Sequence, residues 1–235
     1  MRLEGSMVAI VTPMKDGAVD HKSLRELCEW QLGEGTDGII PCGTTGESAT
    51  LTARERFDVV KTVVNQVKGR ALVIAGAGSN ATHEAIEGVK AARELKADAA
   101  LVVTPYYNKP TQEGLFRHYL AIWEAVHFPV VAYNVPSRTA VDLLPETVAR
   151  LVKAGAIVGI KEATANLDRQ IQLVELVGKD AIAYLSGDDF TVLPYIACGG
   201  HGVISVVANV APRAMKELEP MLAPYVRDGA LTEER

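Results

Sequence analysis

Short apolar runs, rich in β-branched residues, alternate along the whole chain with longer segments of mixed polarity. Runs of this kind are typical of buried strands, and apolar positions that recur every three or four residues are typical of helices. The short runs predict strands at residues 7–12, 38–41, 71–75, 99–104, 130–134, 157–161, 182–186 and 203–207. The longer segments predict helices at residues 23–33, 52–67, 82–95, 112–126, 145–152, 167–177, 190–197 and 212–218.

Eight strand–helix units in one uninterrupted series predict a (β/α)8 TIM barrel, a fold of about 250 residues. A doubly wound open sheet is the alternative. It usually has a glycine-rich phosphate turn after its first strand, and Val11-Thr12-Pro13-Met14 is not such a turn. No linker divides the chain, so we expect a single domain over residues 1–235. Residues 212–235 would form the last barrel helix and the start of a further C-terminal helical segment.

The composition excludes several classes of protein. The 235 residues are 48% hydrophobic and 23% charged, with a net charge of -5, which gives no basic surface for nucleic acid or anionic membranes. No apolar run has the length of a membrane span, and the N-terminus has no signal-peptide core. We therefore expect a cytoplasmic protein that binds neither nucleic acid nor membrane.

Neither the cysteines nor the histidines indicate a metal site or a disulfide. Cys28, Cys42 and Cys198 are widely spaced and form no CxxC pair. The histidines are scattered, and His201 lies in a Gly-Gly-His-Gly turn. We expect no metal, which disfavours a metal-dependent aldolase.

Chemically informative residues follow most of the predicted strands. In a TIM barrel these positions converge on one rim, where the active site lies. The strand-end segments are Cys42-Gly43-Thr44-Thr45-Gly46-Glu47-Ser48, Thr104-Pro105-Tyr106-Tyr107-Asn108, Tyr133-Asn134-Val135-Pro136-Ser137-Arg138, Lys161-Glu162 and Ser186-Gly187-Asp188-Asp189.

Lys161 stands at the end of the apolar run Ala156-Ile157-Val158-Gly159-Ile160. Burial disfavours a charged amine and lowers its pKa, and a neutral lysine can condense with a ketone to form a Schiff base. A surface lysine just past a strand end is the other interpretation of this segment. The neighbouring strand ends must therefore decide between the two.

Those strand ends provide the groups that Schiff-base chemistry needs. Tyr133 is a candidate general acid and base, and Thr44 and Tyr107 can relay its protons. The Thr44-Thr45 turn offers hydrogen-bond donors to the carboxylate of a keto acid. The planar guanidinium of Arg138 can form two parallel hydrogen bonds with a second carboxylate.

At these positions the chain resembles the dihydrodipicolinate synthase family of the N-acetylneuraminate lyase superfamily, the pyruvate-dependent class I aldolases. The matching motifs occur in family order over nearly the whole chain. They are Gly43-Thr44-Thr45-Gly46-Glu47, Thr104-Pro105-Tyr106-Tyr107-Asn108, Tyr133-Asn134-Val135-Pro136-Ser137-Arg138-Thr139, Gly159-Ile160-Lys161-Glu162-Ala163, Ser186-Gly187-Asp188-Asp189 and Gly200-His201-Gly202-Val203-Ile204-Ser205.

The resemblance implies a lyase that condenses pyruvate with L-aspartate 4-semialdehyde to 4-hydroxy-tetrahydrodipicolinate, on the route to diaminopimelate and lysine. No cofactor is implied, because the covalent imine forms between Lys161 and pyruvate. The implied roles are proton transfer by Tyr133 through Thr44 and a neighbouring subunit's Tyr107, binding of the pyruvate carboxylate by Thr45, binding of the semialdehyde carboxylate by Arg138, and backbone lining by Gly187 and Ile204.

Two other functions would use part of the same residue set. A sugar-acid aldolase or lyase of the same superfamily would share Lys161, but it typically lacks Arg138 and often has a serine within the Gly-Thr-Thr-Gly motif. A non-catalytic keto-acid-binding barrel would need Thr45 and Arg138 but would have no use for Lys161 and Tyr133 together. The residues favour the synthase over both.

The resemblance also implies a regulatory site for lysine at an interface between subunits. The matching positions are Ser48, Ala49, Arg56, Asn80, Glu84 and Tyr106. Lysine-sensitive members commonly have histidine where this chain has Ala53 and Arg56. A permanently cationic Arg56 would repel the side-chain ammonium of lysine, so we expect weak inhibition or none.

Family members normally continue past the eighth barrel helix into a further helical segment. Here the sequence stops at Thr232-Glu233-Glu234-Arg235, so we expect that C-terminal extension to be largely missing. The resemblance implies a homo-oligomer, either a dimer or a homotetramer built as a dimer of dimers.

Overall fold

The computed structural model describes residues 3–222, 226–227 and 230–231. Its strands are β1 Gly5–Ala9, β2 Met14–Lys15, β3 Ala18–Val19, β4 Gly38–Ile40, β5 Leu72–Gly76, β6 Ala99–Val103, β7 Val130–Asn134, β8 Gly159–Glu162, β9 Ala183–Ser186, β10 Gly202–Ser205, β11 Val226–Arg227 and β12 Ala230–Leu231. Its helices are α1 His21–Gly33, α2 Ala53–Val67, α3 Thr82–Glu94, α4 Gln112–Val126, α5 Pro136–Thr139, α6 Pro145–Lys153, α7 Leu167–Val177, α8 Val192–Ala197 and α9 Pro212–Leu222. Within these described parts, no helix has the length and apolar character that crossing a membrane requires.

Eight strands close into a barrel in the order β1-β10-β9-β8-β7-β6-β5-β4. Every neighbouring pair in this ring is parallel, and helices lie between successive strands along the chain. The predicted (β/α)8 TIM barrel is therefore confirmed. Since all eight strands point the same way, their carboxyl ends form one rim.

The barrel closes at a seam between its first and last strands. Gly5 pairs with Gly202 there, and the Gly5 amide donates to the His201 carbonyl at 3.0 Å. A Cβ atom on Gly202 would lie only 2.3 Å from the Gly5 carbonyl oxygen, while Gly5 itself has a φ of +90°. Side chains would prevent this approach, so the seam depends on glycine in both strands.

Two apolar layers stabilise the barrel, because alternate strand residues face opposite sides of the sheet. One layer fills the interior of the barrel and the other lies between the sheet and the helices. The interior layer consists mainly of Met7, Ala9, Ile40, Ile74, Ala99, Leu101, Val131, Tyr133, Leu185 and Ile204. Val8, Ile39, Val73 and Val102 belong to the outer layer. Tyr133 therefore reaches the rim from inside the barrel.

Several boundaries differ from the sequence predictions. The last barrel strand was predicted to reach residue 207 but ends at Ser205, because the Val206 and Val207 amides donate to the Asp189 carboxylate instead of continuing the ladder. The hairpin of β2 and β3 and the short helix α5 were not predicted. The expected start of a further helix at residues 232–235 lies outside the described residues.

Candidate active site

Lys161 and Tyr133 face each other at the rim of the barrel. They are register partners on β8 and β7, and their exposed fractions are only 5% and 7%. The Nζ atom of Lys161 lies 4.3 Å from the centre of the Tyr133 ring. The sequence prediction that these two residues lie together is confirmed, and Lys161 is buried rather than on the surface.

Burial lowers the pKa of the Lys161 amine from its ordinary value to about 8. The Asp189 carboxylate opposes this shift, whereas the Arg138 guanidinium adds to it. An amine with such a pKa is partly neutral at physiological pH, and the neutral form is the nucleophile. Lys161 therefore has the electrostatic environment that imine formation needs.

Burial raises the pKa of the Tyr133 hydroxyl, which keeps the phenol protonated. A hydrogen bond with the Thr44 side chain and the positive charge of Arg138 both counteract this effect. Thr44 therefore reaches this hydroxyl from the turn after β4, and Arg138 on α5 acts on it through its charge. A phenol held in this way can donate a proton and recover it through Thr44.

Space beside Lys161 exists because position 187 has no side chain. A Cβ atom on Gly187 would lie 2.9 Å from Cε of Lys161 and 2.8 Å from Cβ of Ala163. The Gly187 amide donates to the Glu162 carbonyl at 2.7 Å, which fixes this close approach. Ile204, the other residue predicted to line the site, is fully buried in the interior layer.

The Thr44-Thr45 turn follows β4 and is held tightly against the first strand. The Thr12 hydroxyl donates to the Gly46 carbonyl at 2.7 Å, and the Glu47 amide donates to the Thr44 carbonyl at 3.0 Å. A Cβ atom on Gly46 would lie 2.9 Å from the Ile10 carbonyl oxygen. Thr44 is exposed and Thr45 half-buried, so the turn is accessible at the carboxyl end of β4.

Arg138 and Tyr107 are both exposed. Arg138 lies on α5 and is exposed, yet its charge acts on both Lys161 and Tyr133. Tyr107 is 89% exposed, and its backbone has the left-handed φ of 74°. The chain does not bring Tyr107 against Tyr133, so its predicted role in a neighbouring subunit's site stays a prediction.

Three of the six predicted regulatory residues line a cavity of about 360 Å³ between α2 and α3. Ser48, Arg56 and Glu84 line it, and the cavity extends to Thr44 and Tyr133. Nη1 of Arg56 donates to the Ser48 carbonyl at 3.4 Å, which joins two residues of the cavity wall. The Ser79 hydroxyl donates to Glu84 at 2.7 Å.

The remaining regulatory positions lie close by. The side-chain amide of Asn80 donates to the Tyr106 carbonyl at 3.2 Å, which joins these two residues. Tyr106 is 39% exposed and Ala49 is also exposed. Lys161 does not line the cavity, although its neighbour Tyr133 does.

A buried ion-pair network behind the lysine was not predicted. Nε of Arg169 donates to Glu162 at 2.7 Å, and both residues are almost completely buried. The signal in the sequence was a glutamate directly after Lys161 on an apolar strand, with an arginine seven residues later. Asp189, whose Oδ1 atom is buried without a hydrogen-bond partner among the described residues, was also missed as a charge near Lys161.

Other nucleophiles and metal ligands are poorly placed. Burial raises the pKa of both the Cys28 and the Cys42 thiols to about 12, so neither forms a thiolate readily. In the part of the chain that the structure describes, no three His, Cys, Asp or Glu side chains are grouped to hold a metal ion.

Comparison with known proteins adds independent information. A sequence model of the Dihydrodipicolinate synthetase family matches residues 2–233. The 4-hydroxy-tetrahydrodipicolinate synthase of Anaeromyxobacter dehalogenans is 85% identical over 217 residues, which are 92% of this chain and 74% of that protein. The synthase of the same name from Acidithiobacillus ferrooxidans is 59% identical over 215 residues, 91% of this chain and 74% of that protein.

Solved structures agree with the sequence matches. Dihydrodipicolinate synthase from Aquifex aeolicus superposes with a TM-score of 0.92 at 46% identity, covering 94% of this chain and 76% of that one. The chloride-inhibited enzyme from Acinetobacter baumannii, complexed with pyruvate, superposes with a TM-score of 0.89 at 52% identity, covering 92% and 74%. With its barrel, its buried lysine and these matches, the chain belongs to the dihydrodipicolinate synthetase family.

Proposed function

We propose that this protein is a lyase that condenses pyruvate with L-aspartate 4-semialdehyde to 4-hydroxy-tetrahydrodipicolinate, a step of diaminopimelate and lysine biosynthesis. The observation that carries the proposal is the buried Lys161 amine, with a pKa of about 8, facing the ring of Tyr133 at 4.3 Å. The relatives named above have the same activity in their names, and one was solved with pyruvate.

The chemistry starts at Lys161. Its neutral amine attacks the keto carbon of pyruvate, and the carbinolamine loses water to give the imine. Loss of a proton from the methyl group gives an enamine, whose carbon then forms a bond with the aldehyde carbon of the second substrate. The amino group of that substrate attacks the imine carbon, closes the ring and releases the Lys161 amine. No external cofactor is needed for these steps.

Tyr133 is proposed to move the protons of the carbinolamine, enamine and aldehyde steps. Its hydroxyl interacts with Thr44, which would pass protons onward to Tyr107 of a neighbouring subunit. The Thr44-Thr45 turn faces the barrel mouth, so Thr45 is proposed to bind the pyruvate carboxylate.

The remaining contacts concern the second substrate and the walls of the site. Arg138 is proposed to bind the carboxylate of aspartate semialdehyde, the second carboxylate in the site, through two parallel hydrogen bonds. Gly187 and Ile204 are proposed to line the site, because Gly187 leaves the space beside Cε of Lys161.

We also propose a homo-oligomer, a dimer or a dimer of dimers. The 89% exposure of Tyr107 supports it, because a large aromatic side chain so far in solvent is suited to burial by a second subunit. Sedimentation velocity of the wild type and of Tyr107→Ala tests the assembly.

The state of the cysteines supports the predicted cytoplasmic location. Cys28, Cys42 and Cys198 are all unpaired, which is usual for proteins of the reducing cytoplasm.

Borohydride trapping tests the proposed function. Incubation with pyruvate and borohydride should add one reduced pyruvyl group, and peptide mapping should place it on Lys161. Lys161→Ala should lose the adduct while retaining the circular dichroism spectrum of the wild type. Turnover of aspartate semialdehyde should then be measured directly. An adduct on the exposed Lys109 or Lys153 would contradict the assignment, and cleavage of N-acetylneuraminate at a rival rate would favour the sugar-acid lyase.

A further inference from the structure

A buried network connects the catalytic strands to the segment that carries Arg138. Its members are Asn134 at the end of β7, Glu162 at the end of β8, Arg169 on α7 and Asp142 after α5. Nε of Arg169 donates to Oε2 of Glu162 at 2.7 Å, and Nη1 donates to Oδ2 of Asp142 at 3.1 Å. The side-chain amide of Asn134 donates to Glu162 at 3.1 Å and to Oδ1 of Asp142 at 2.8 Å. We call these four residues the Arg169 network.

The Arg169 network also holds both ends of the segment 135–143 in place. Oδ1 of Asn134, just before the segment, accepts from the Leu143 amide at 3.0 Å. The Leu143 carbonyl accepts from Nη2 of Arg169. Within the segment, the Arg138 amide donates to the Val135 carbonyl at 2.9 Å. Arg138 is therefore carried by a small closed loop whose two ends are anchored to the network.

Stability alone gives a poor explanation of this arrangement. The side chains of Glu162 and Arg169 are 2% and 8% exposed, and removing both charges from water costs several kcal/mol per ion. Apolar residues of similar volume are often as stable as a buried pair or more so. Burial accordingly raises the pKa of Glu162, and Arg169 and Asn134 counteract that shift. Directional hydrogen bonds between charged side chains can fix the position of the loop, whereas apolar packing would not.

We propose that Arg169 and Asp142 are positioning residues, which fix the Arg138 loop relative to Lys161 and thereby determine how well the second substrate binds. The proposal rests on the proposed function, since it assigns Arg138 to the carboxylate of that substrate. Lys161 and Tyr133 are aligned independently by the parallel pairing of β7 with β8. Loosening the loop should therefore affect aspartate semialdehyde and leave the reaction with pyruvate intact.

Asp142→Ala is the most informative variant. The Asp142 side chain is 39% exposed, so its removal should be tolerated, and the buried pair of Arg169 and Glu162 stays intact. Without it, the loop loses one bond to Arg169 and one to Asn134. Asp168→Ala is the matched control, because Asp168 is an exposed aspartate directly before Arg169 and its loss changes the charge equally.

Steady-state kinetics and borohydride trapping together provide the test. We expect Asp142→Ala to raise the KM for aspartate semialdehyde by about 5- to 30-fold, less than the roughly 100-fold that a 1 Å misplacement can cost, because Leu143 keeps its bonds to Asn134 and Arg169. Its KM for pyruvate and its trapping rate should stay within about twofold of wild type, as should all values for Asp168→Ala. An equal loss for both substrates would overturn the proposal.

A double-mutant cycle separates positioning from general damage. In an Arg138→Ala background the loop no longer carries its guanidinium, so adding Asp142→Ala should change the KM for aspartate semialdehyde by less than about twofold. Fully additive effects would refute the proposal. Failure of the proposed function would look different, because the wild type itself would then neither trap pyruvate nor consume aspartate semialdehyde.

Discussion

The reactivity of Lys161 should follow pH in a way that exposed lysines do not. Its pKa of about 8 leaves ~10% of the amine neutral at pH 7, whereas a lysine at its ordinary value has only ~0.03% neutral. Burial therefore increases the concentration of the nucleophile by about 300-fold at neutral pH. The rate of imine formation should rise about tenfold per pH unit below pH 8 and level off above it.

Single-turnover trapping with pyruvate and borohydride, followed by intact mass, measures this rate from pH 6 to pH 10. Peptide mapping of the same samples assigns the label to Lys161 and separates it from label on the exposed Lys109 and Lys153. A Lys161 profile that still rises steeply between pH 9 and pH 10 would refute the argument from burial.

Stability gives a second measure of the same shift. The folded pKa is lower than the unfolded one, so at any pH below about 8 the folded state must carry a charge that it disfavours. The difference between the folded and unfolded pKa corresponds to about 3 kcal/mol of lost stability, and this loss disappears as the pH rises from 8 to the unfolded pKa. Lys161→Met should therefore stabilise the protein at pH 7 and lose this advantage near pH 10.5. Urea unfolding of both proteins at several pH values tests this.

Three other changes test the rest of the site. Tyr133→Phe should keep the fold but lower kcat by about 10²- to 10⁴-fold, the usual worth of a positioned acid or base, and a loss below fivefold in the turnover assay would remove Tyr133 from that role. Arg138→Ala should raise the KM for aspartate semialdehyde far more than it slows trapping of pyruvate; an equal effect would make the arginine structural. Lysine should inhibit weakly, because Arg56 lines the cavity predicted to bind lysine, and like charges about 4 Å apart repel by ~4 kcal/mol at a protein surface before salt screening. Initial rates under a lysine titration should show tighter inhibition for Arg56→His, whereas submillimolar inhibition of the wild type would contradict the repulsion.

Much of the barrel could be predicted because its information is local. Each buried strand is a short apolar run, and the residue at its carboxyl end is read directly from the sequence. Lys161 and Tyr133 were placed together on this basis alone. The hairpin of β2 and β3 was missed although Asp16-Gly17 is a turn signal; both residues have positive φ, 52° and 80°, and the strands have only two residues each.

The Arg169 network could not be predicted in the same way. It joins residues from β7, β8, α7 and the loop after α5, and nothing in the local pattern states which buried charges will meet. In the sequence Glu162 follows Lys161 and Arg169 stands between Asp168 and Gln170, and only the closed barrel makes Glu162 and Arg169 partners at 2.7 Å. Side-chain pairing across elements depends on the fold, whereas strand and helix periods do not.

The glycine seam joins β1 and β10, the first and last barrel strands that the ribosome makes. At about 5–20 residues per second, β10 follows β1 from the ribosome by roughly 10–40 s, because about 200 residues separate them. Until β10 is made, only one of the two barrel neighbours of β1 exists, and an unpaired strand edge is a template for aggregation. The barrel can close only when Gly202–Ser205 arrive. Substitutions at Gly5 or Gly202 should therefore reduce the yield of protein during synthesis more than they shorten the lifetime of molecules that have already closed.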